Sequence, residues 1–519
     1  MSAPLDALVV VPPLSPSDTN PPLGPYILKA AYEAAGLSLE VADLSIAFLN
    51  RFKTTARSRQ DATLGDQDKD RSVTHTARAD FLAKCPLRES DPLHVPCSSD
   101  PVLGMHYGFD AIEWAVREST SPGSFWREFI VGQLGRNHNV PPRIVGISIM
   151  GPPQVFVALV VARIVKELWP GVLVVAGGSH ITLLIDEISR DPRYGRDIDL
   201  FMPGHCEDEF VAVAKSVRAG RAIDQFGVKA GRPKTRPATC TSPLVQVGTS
   251  RRAAAPSFRV LPSLDSASLS AYDPARVTLP LQLTRGCSYG RCTYCTYPAV
   301  ERVVNTEPDW VATIQAIRTL IDRTGVRRVS FKDSLFTTKN LRRLAESLGH
   351  ERLDITWSAT TLLHPSLTSE VLFQLASAGC RTLEVGLETI DPIGQRLFDK
   401  KMRLDVIESV IQSADAAGIV LVLNQIFGWP TQSLESATRQ LHWYQRVREA
   451  YPQHVRASFN LLEINRASPM ATRASEFDIE LRGIAPWAFS FDWNAPKWRP
   501  SFRYMLDVVD HITDVALAA

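Results

Sequence analysis

Three of the chain's eight cysteines, Cys287, Cys292 and Cys295, fall within nine residues in the stretch GCSYGRCTYCTYP, residues 286–298. The spacing is Cys-x4-Cys-x2-Cys. A two-residue gap lets two thiolates face the same side of a tight turn, and Gly286 and Gly290 let the backbone curl around an object. A structural zinc takes four ligands, and iron–sulfur cubanes usually take four thiolates. The other cysteines, Cys85, Cys97, Cys206, Cys240 and Cys380, are scattered, with no second Cys-x2-Cys. Besides chance clustering, two chemistries remain. One is a zinc site completed by a remote ligand. The other is a cubane on three thiolates, which leaves one iron open to bind a reacting molecule.

The elements that must position this loop read as two α/β series. The loop directly follows the strand-like VTLPLQLT. Further strand patterns are RRVSFKD, ITWSAT, RTLEVGLE, IVLVLNQIFG and RASFNLLEI. Helical patterns such as DWVATIQAIRTLIDRTG, KNLRRLAESLG and DVIESVIQSADAAG separate them. Six strands with about five helices predict a partial (β/α) barrel over residues 276–475, with its active site at the C-terminal face of the strands. The cysteine loop then lies at that face.

Upstream, LDALVVVPP, LSLEVADL, RIVGISIM, VLVVAGGSH and DIDLFMPGHCEDEF alternate with helical patterns such as PYILKAAYEAAG and QVFVALVVARIVKELWPG. This predicts a doubly wound parallel sheet over residues 1–220, binding ligands beyond the C-terminal strand ends. An insertion over residues 50–140 interrupts it. There the polar RFKTTARSRQDATLGDQDKDRS reads as a loop, and FDAIEWAVREST and SFWREFIVGQLGR read as helices. Residues 221–275 read as a linker and 476–519 as a C-terminal extension. Trp487, Trp493 and Trp498 in that extension serve either as packing or as a cover over the barrel mouth. The fold class is α/β throughout.

Composition narrows the function classes. A chain of 519 residues implies two or three domains, and 45% apolar with 22% charged residues is ordinary for a soluble protein. The net charge of +2 and the lack of a Lys/Arg run argue against DNA as a partner. The N-terminus has no basic n-region, and its apolar run at residues 7–11 is too short for a signal or a membrane span. We therefore expect a cytoplasmic protein without a membrane partner. There thiols stay reduced, and clustered cysteines hold metal or do chemistry.

With its place after the first barrel strand, GCSYGRCTYC resembles the signature of radical S-adenosylmethionine (radical SAM) enzymes. The commonest spacing in that family has three residues in the first gap; this chain has four. The resemblance implies that Cys287, Cys292 and Cys295 hold a [4Fe–4S] cluster whose fourth iron chelates S-adenosylmethionine, and that the surroundings of Tyr294 contact the adenine. RRVSFKDSLF resembles the second-strand segment, with Asp333 and Ser334 where many members carry Gly-Gly-Glu. ASAGCRTLEVGLETID resembles the fourth-strand segment, placing Glu388 near the ribose or amino group. LNQIFGWPTQSLES resembles the fifth, placing Gln425 and Gly428 near the adenine.

The first series has no GxGxxG dinucleotide fingerprint. VVVPPLSPSDTNPPLGPYILKAAYEAAG, IVGISIMGPPQ, VLVVAGGSHIT and DLFMPGHCEDEF together resemble the cobalamin-binding domain of cobalamin-dependent radical SAM enzymes. By this resemblance Pro12, Ser148, Gly151, Gly177, Gly178 and His180 would contact cobalamin. The chain lacks Asp-x-His-x-x-Gly, and the resemblance implies a cobalamin bound with its own base displaced and no histidine on cobalt. His180 is expected as a hydrogen-bonding loop residue. The two resemblances imply a class B C-methyltransferase acting on a small-molecule natural product or a peptide, with an electron donor such as flavodoxin or ferredoxin. A cyclase, rearrangement or ring-contraction enzyme with the same cofactors is the alternative, and a zinc-stabilised non-catalytic binding protein is another. A methylthiotransferase is disfavoured because the first domain has no second three-cysteine set. No catalytic acid or base stands out.

Overall fold

The computed structural model describes residues 4–13, 19–57, 109–135, 140–224, 226, 261–301, 308–400, 402–482 and 488–495. The chain divides into two compact units, Met1–Val277 with Ile484–Phe489, and Thr278–Gly483 with Ser490–Ala519.

The first unit is a five-stranded sheet. Its strands are β1 (Ala7–Val11), β2 (Leu39–Asp43), β3 (Ile144–Ser148), β4 (Leu173–Gly177) and β5 (Leu200–Met202), in the order β2-β1-β3-β4-β5 and all parallel. Alternation along β1 separates two cores. Leu8 and Val10 join one with Trp126, Phe156 and Ile185; Ala7 and Val9 join the other with Tyr32, Phe210 and Val213. Helices α1 (Leu23–Ala34) and α7 (Glu207–Arg218) cover the second face. Helices α2 (Leu44–Arg57), α3 (Phe109–Thr120), α4 (Phe125–Leu134), α5 (Val155–Leu168) and α6 (Ser179–Arg190) cover the first. Chain order reverses between β1 and β3, so the crevice at their C-terminal ends is the expected ligand site.

Two expectations change here. The polar run read as a loop from Arg51 begins inside a helix, since α2 extends to Arg57; residues 58–108 of the insertion lie outside the described residues. The stretch read as a linker ends packed on the first unit. Ser263 donates its N–H to the Tyr26 carbonyl (2.9 Å) and its hydroxyl to Glu33 (2.8 Å), and the Asn50 amide donates to the Ala271 carbonyl (2.7 Å). Residues 227–260 of that stretch lie outside the described residues.

The second unit is a six-stranded parallel sheet, β6 (Leu279–Leu281), β7 (Arg328–Phe331), β8 (Thr356–Thr361), β9 (Cys380–Glu388), β10 (Val420–Phe427) and β11 (Val455–Leu461). The strands pair strictly in chain order. Helices α8 (Tyr297–Glu301), α9 (Trp310–Thr324), α10 (Thr338–His350), α11 (Ser369–Ser377), α12 (Pro392–Leu397), α13 (Leu404–Ala416) and α14 (Leu434–Ala450) connect them. This is the expected partial (β/α) barrel, open between β6 and β11. Side-chain caps fix helix starts: Asp309 accepts from the Ala312 N–H, and Thr337 from the Asn340 N–H. A small antiparallel sheet follows, β12 (Ile464–Asn465), β13 (Glu480–Arg482) and β14 (Ser490–Asn494), in the order β12-β14-β13. Trp493 on β14 packs with Phe398, Trp429 and Leu462. Trp487 and Trp498 lie outside the described residues. Among the described residues no helix is long and apolar enough to cross a membrane.

Candidate functional sites

The cysteine loop leaves β6 and is held open by its glycines. Gly286 and Gly290 have φ of 89° and 59°, values that favour glycine. The Gly290 N–H points at Cys287 Sγ (3.4 Å). All three cysteines are free and partly exposed. Burial pushes the Cys295 thiol up to about 11 and raises that of Cys292. Among the described residues no three His, Cys, Asp or Glu side chains are gathered closely enough to hold one metal ion.

The residue before Cys295 links this loop to the fourth strand. Tyr294 donates its hydroxyl to Glu388 Oε1 (2.6 Å). Glu388 ends β9 with φ 61°, a left-handed conformation that a non-glycine residue adopts only when its surroundings impose it. The imposing feature is a register shift between β9 and β10: Asn424 pairs with Gly386, and the next residue, Gln425, pairs with Glu388. The Lys400 ammonium lies 3.0 Å from Glu388 Oε1, both side chains 6% exposed. Gln440 ties the backs of both strands, donating to the Glu388 carbonyl (3.2 Å) and to Gln425 Oε1 (3.0 Å).

The side-chain amide nitrogen of Gln425 is buried with no partner, as are the indole N–H of Trp429 and the amide nitrogen of Gln432. An unmade buried hydrogen bond costs about 1–3 kcal/mol. Three orphan donors along β10 and its turn therefore favour a ligand rich in acceptors. Gly428 shapes that turn, with φ 71° and its N–H donating to Gln432 Oε1 (2.6 Å).

Asp333 and Ser334 serve elsewhere. The Asp333 carboxylate accepts from the N–H groups of Leu283 (3.1 Å) and Thr284 (2.5 Å) and from the Thr284 hydroxyl (2.7 Å). It locks the start of the cysteine loop to β7, and its burial raises its pKa to about 7. Ser334 donates to Glu301 (3.2 Å). Neither meets Glu388 or Gln425 through a hydrogen bond. A cavity of about 650 Å³ opens beside the loop, lined in part by Ser288, Tyr289, Phe336, Arg342, Thr361 and His364.

In the first unit, a slot of about 140 Å³ opens at the C-terminal ends of β3, β4 and β5, lined in part by Gly146, Ser148, Gly177, Gly178, Met202 and Phe210. A cavity of about 150 Å³ takes a benzene-sized ring. Gly146 creates the depth, since a Cβ there would lie 3.2 Å from Val9 Cγ2 and 3.3 Å from Phe210 Cζ. Gly178, with φ 103°, leaves no room at all: a Cβ would lie 2.3 Å from the Ile149 carbonyl oxygen. Pro12 and the turn at Gly151 are joined by Gln154, which donates to the Pro12 carbonyl (2.8 Å) and accepts from the Met150 N–H (2.7 Å). His180 corrects an expectation. It sits in the first turn of α6, fully buried, with neither ring nitrogen hydrogen-bonded and its ring 5.0 Å from that of Phe489. Burial lowers its pKa to about 3, so it is a neutral imidazole.

The stretch 281–441, which contains the three cysteines, Asp333, Glu388 and Gln425, matches the family model of the Radical SAM superfamily. Residues 281–441 are a radical SAM domain. Among curated relatives, the uncharacterized methyltransferase PH0819 of Pyrococcus horikoshii is 24% identical over 60% of this chain and 66% of its own length. The bacteriochlorophyllide d C-12(1)-methyltransferase of Chlorobaculum tepidum is 25% identical over 54% of this chain and 56% of its own. The chain thus spans under two thirds of either relative. Among solved structures, the radical S-adenosylmethionine methyltransferase TsrM of Kitasatospora setae, with cobalamin and a [4Fe-4S] cluster bound, aligns over 98% of this chain and 89% of its own. The TM-score is 0.61 at 15% identity, which establishes a shared fold.

Within the radical SAM domain, sequence reasoning located the cysteines, Tyr294, Glu388 and Gln425, and the structure brings the last three together. It missed Lys400, Gln440 and Gln432. Lys400 stands in the polar run FDKKMR, where nothing in spacing or periodicity distinguishes it from a solvated lysine.

Proposed function

We propose that this protein is a cobalamin-dependent radical SAM methyltransferase that adds a methyl group to a carbon of a small-molecule natural product or a peptide. The observation that carries this reading is the coexistence, in one chain with the fold of TsrM, of a three-cysteine loop at a barrel mouth and a glycine-lined slot at a sheet switch point. When bound, the [4Fe–4S] cluster with S-adenosylmethionine supplies radical chemistry and the cobalamin supplies methyl-group transfer.

The residues present fit those groups. Cys287, Cys292 and Cys295 hold the cluster as thiolates, giving up the protons that burial otherwise keeps on Cys292 and Cys295. Glu388 and Gln425 orient the S-adenosylmethionine, Gln425 through its orphan donor. The slot past Gly146 receives an aromatic base, and Gly177 and Gly178 let the backbone approach the cofactor closely. His180 supplies a neutral imidazole with two unused nitrogens. The cavity near Tyr289, about 650 Å³, is within the usual range for a small-molecule site. A low-potential donor such as flavodoxin or ferredoxin supplies the electron.

The test is anaerobic. The protein is purified with cobalamin available, reconstituted with iron and sulfide, and assayed for iron, sulfide and cobalt, alongside a variant with all three cluster cysteines changed to Ala. About four irons and one cobalamin per chain are expected, with iron lost and cobalamin kept in the variant. Formation of S-adenosylhomocysteine together with a substrate methylated at carbon completes it. Zinc without labile sulfide would refute the proposal.

A further inference from the structure

The segment preceding Lys400 is fastened to the cysteine loop at three points. Thr293 donates its N–H to the Phe398 carbonyl (3.3 Å) and its hydroxyl to the Leu397 carbonyl (2.7 Å). Tyr289 donates its hydroxyl to the Asp399 carbonyl. Lys400 follows directly and turns inward to Glu388 at 3.0 Å, with the Gly386 carbonyl 3.4 Å from its ammonium. Gly386 makes the space: a Cβ there would lie 2.4 Å from Glu388 Oε1 and 2.8 Å from Lys400 Nζ. Tyr294, beside Cys295, holds the other side of the carboxylate.

A buried ion pair is weak evidence for stability, because desolvation offsets the attraction. This pair therefore points to a role in charge rather than in holding the fold. The Glu388 carboxylate, 3.0 Å away, favours the charged ammonium of Lys400 over the neutral amine.

We propose that Lys400 is an electrostatic counter-charge for the cluster held by Cys287, Cys292 and Cys295, easing its one-electron reduction, and that Glu388 sets how much of that charge the cluster feels. The inference rests on the cluster reading given above. Reduction adds one electron from an external low-potential donor, and no bond forms or breaks. A cluster on three thiolates becomes more negative in that step, so a fixed ammonium in a low-dielectric site stabilises the reduced state more than the oxidised one. The Glu388 carboxylate opposes this. Removing the two side chains must move the potential in opposite directions, which loss of mere packing would not do.

The test uses the full-length reconstituted protein without S-adenosylmethionine. The reduced cluster is followed by electron paramagnetic resonance while dithionite and mediators set the potential. Lys400→Met is expected to lower the ratio of reduced to oxidised cluster about tenfold at a fixed potential, a shift of about 59 mV to more negative values for a one-electron couple. Glu388→Gln is expected to shift it the other way by a similar amount, and Lys400→Arg to stay within about threefold of wild type, on the same constant. Unmoved potentials in the Met and Gln variants, with iron content at the wild-type level, would overturn the inference alone. If Lys400→Met fails to retain iron, Glu388→Gln decides: without its positive shift the inference falls. A wild-type protein that takes up no iron and sulfide would overturn the cluster reading and this inference with it.

Discussion

Tyr294 and Glu388 stand 94 positions apart and share a 2.6 Å hydrogen bond, which ties the cysteine loop to the end of the fourth barrel strand. The bond is made to a carboxylate held at positive φ, so it secures a conformation that the backbone would not choose. Burial, with Glu388 second, raises the Tyr294 hydroxyl's pKa, and it remains the proton donor.

Tyr294→Phe removes that donor and leaves the buried carboxylate with Lys400. A hydrogen bond to a charged group contributes about 1.5–3 kcal/mol. The variant should lose stability on that scale in anaerobic urea unfolding, while retaining iron because the cysteines are untouched. An unchanged midpoint would show that the bond is not maintained in solution.

The strands were legible because long β-branched runs such as IVLVLNQIFG admit few alternatives, and the cysteine loop because three thiols crowd into nine residues. What was not legible depended on tertiary hydrogen bonds. Asp333 occupies a suggestive place after β7, but the free N–H groups of Leu283 and Thr284 claim its carboxylate, and those groups become neighbours only once β6 pairs with β7. Lys400 gains its setting from bonds that Thr293 and Tyr289 make to residues just before it. His180 looked like a loop residue because two glycines precede it. The helix begins immediately after them and carries the imidazole into the interior.

Asp333 gives a pH prediction. Its folded pKa, about 7, lies above the ordinary 3.8, and burial is the main cause, against the pull of its hydrogen bonds. Between those values the folded protein keeps a proton that the unfolded chain has released. The stabilisation from this group is therefore present below about pH 4 and is lost as pH rises through 7. Asp333→Asn cannot ionise. Its urea midpoint should fall less than that of wild type between pH 5 and pH 7.5, and should exceed it at the upper end. Parallel profiles would mean that Asp333 is ionised throughout.

Gly146 offers a separation of the two proposed cofactors. Its missing side chain gives the slot its depth: a Cβ at this position would stand only 3.2 Å from Val9 Cγ2 and 3.3 Å from Phe210 Cζ. Gly146→Val fills that depth with two further methyl groups. Cobalamin retained per chain should fall at least tenfold, about 1.4 kcal/mol or more in binding, with iron and sulfide unchanged. Overpacking should also cost about 1–3 kcal/mol of stability. Cobalamin retained at wild-type levels would place the base elsewhere than in this slot.

Gln425 tests the orphan-donor argument. Its side chain is fully buried, its oxygen accepts from Gln440, and its nitrogen has no partner. A ligand acceptor that meets the nitrogen regains what the unliganded protein forgoes, so the group contributes more to binding than to stability. Gln425→Leu deletes the orphan and the bond to Gln440 together, but Gln440 keeps its bond to the Glu388 carbonyl. Stability should therefore change by no more than about 1 kcal/mol. S-adenosylmethionine binding to the reconstituted protein, measured by anaerobic equilibrium dialysis, should weaken about tenfold or more. The split between the two readouts is what matters. A large loss of stability with unchanged affinity would make Gln425 a structural residue of the β9–β10 pair, and the acceptor-rich ligand would have to be sought at Trp429 and Gln432 instead.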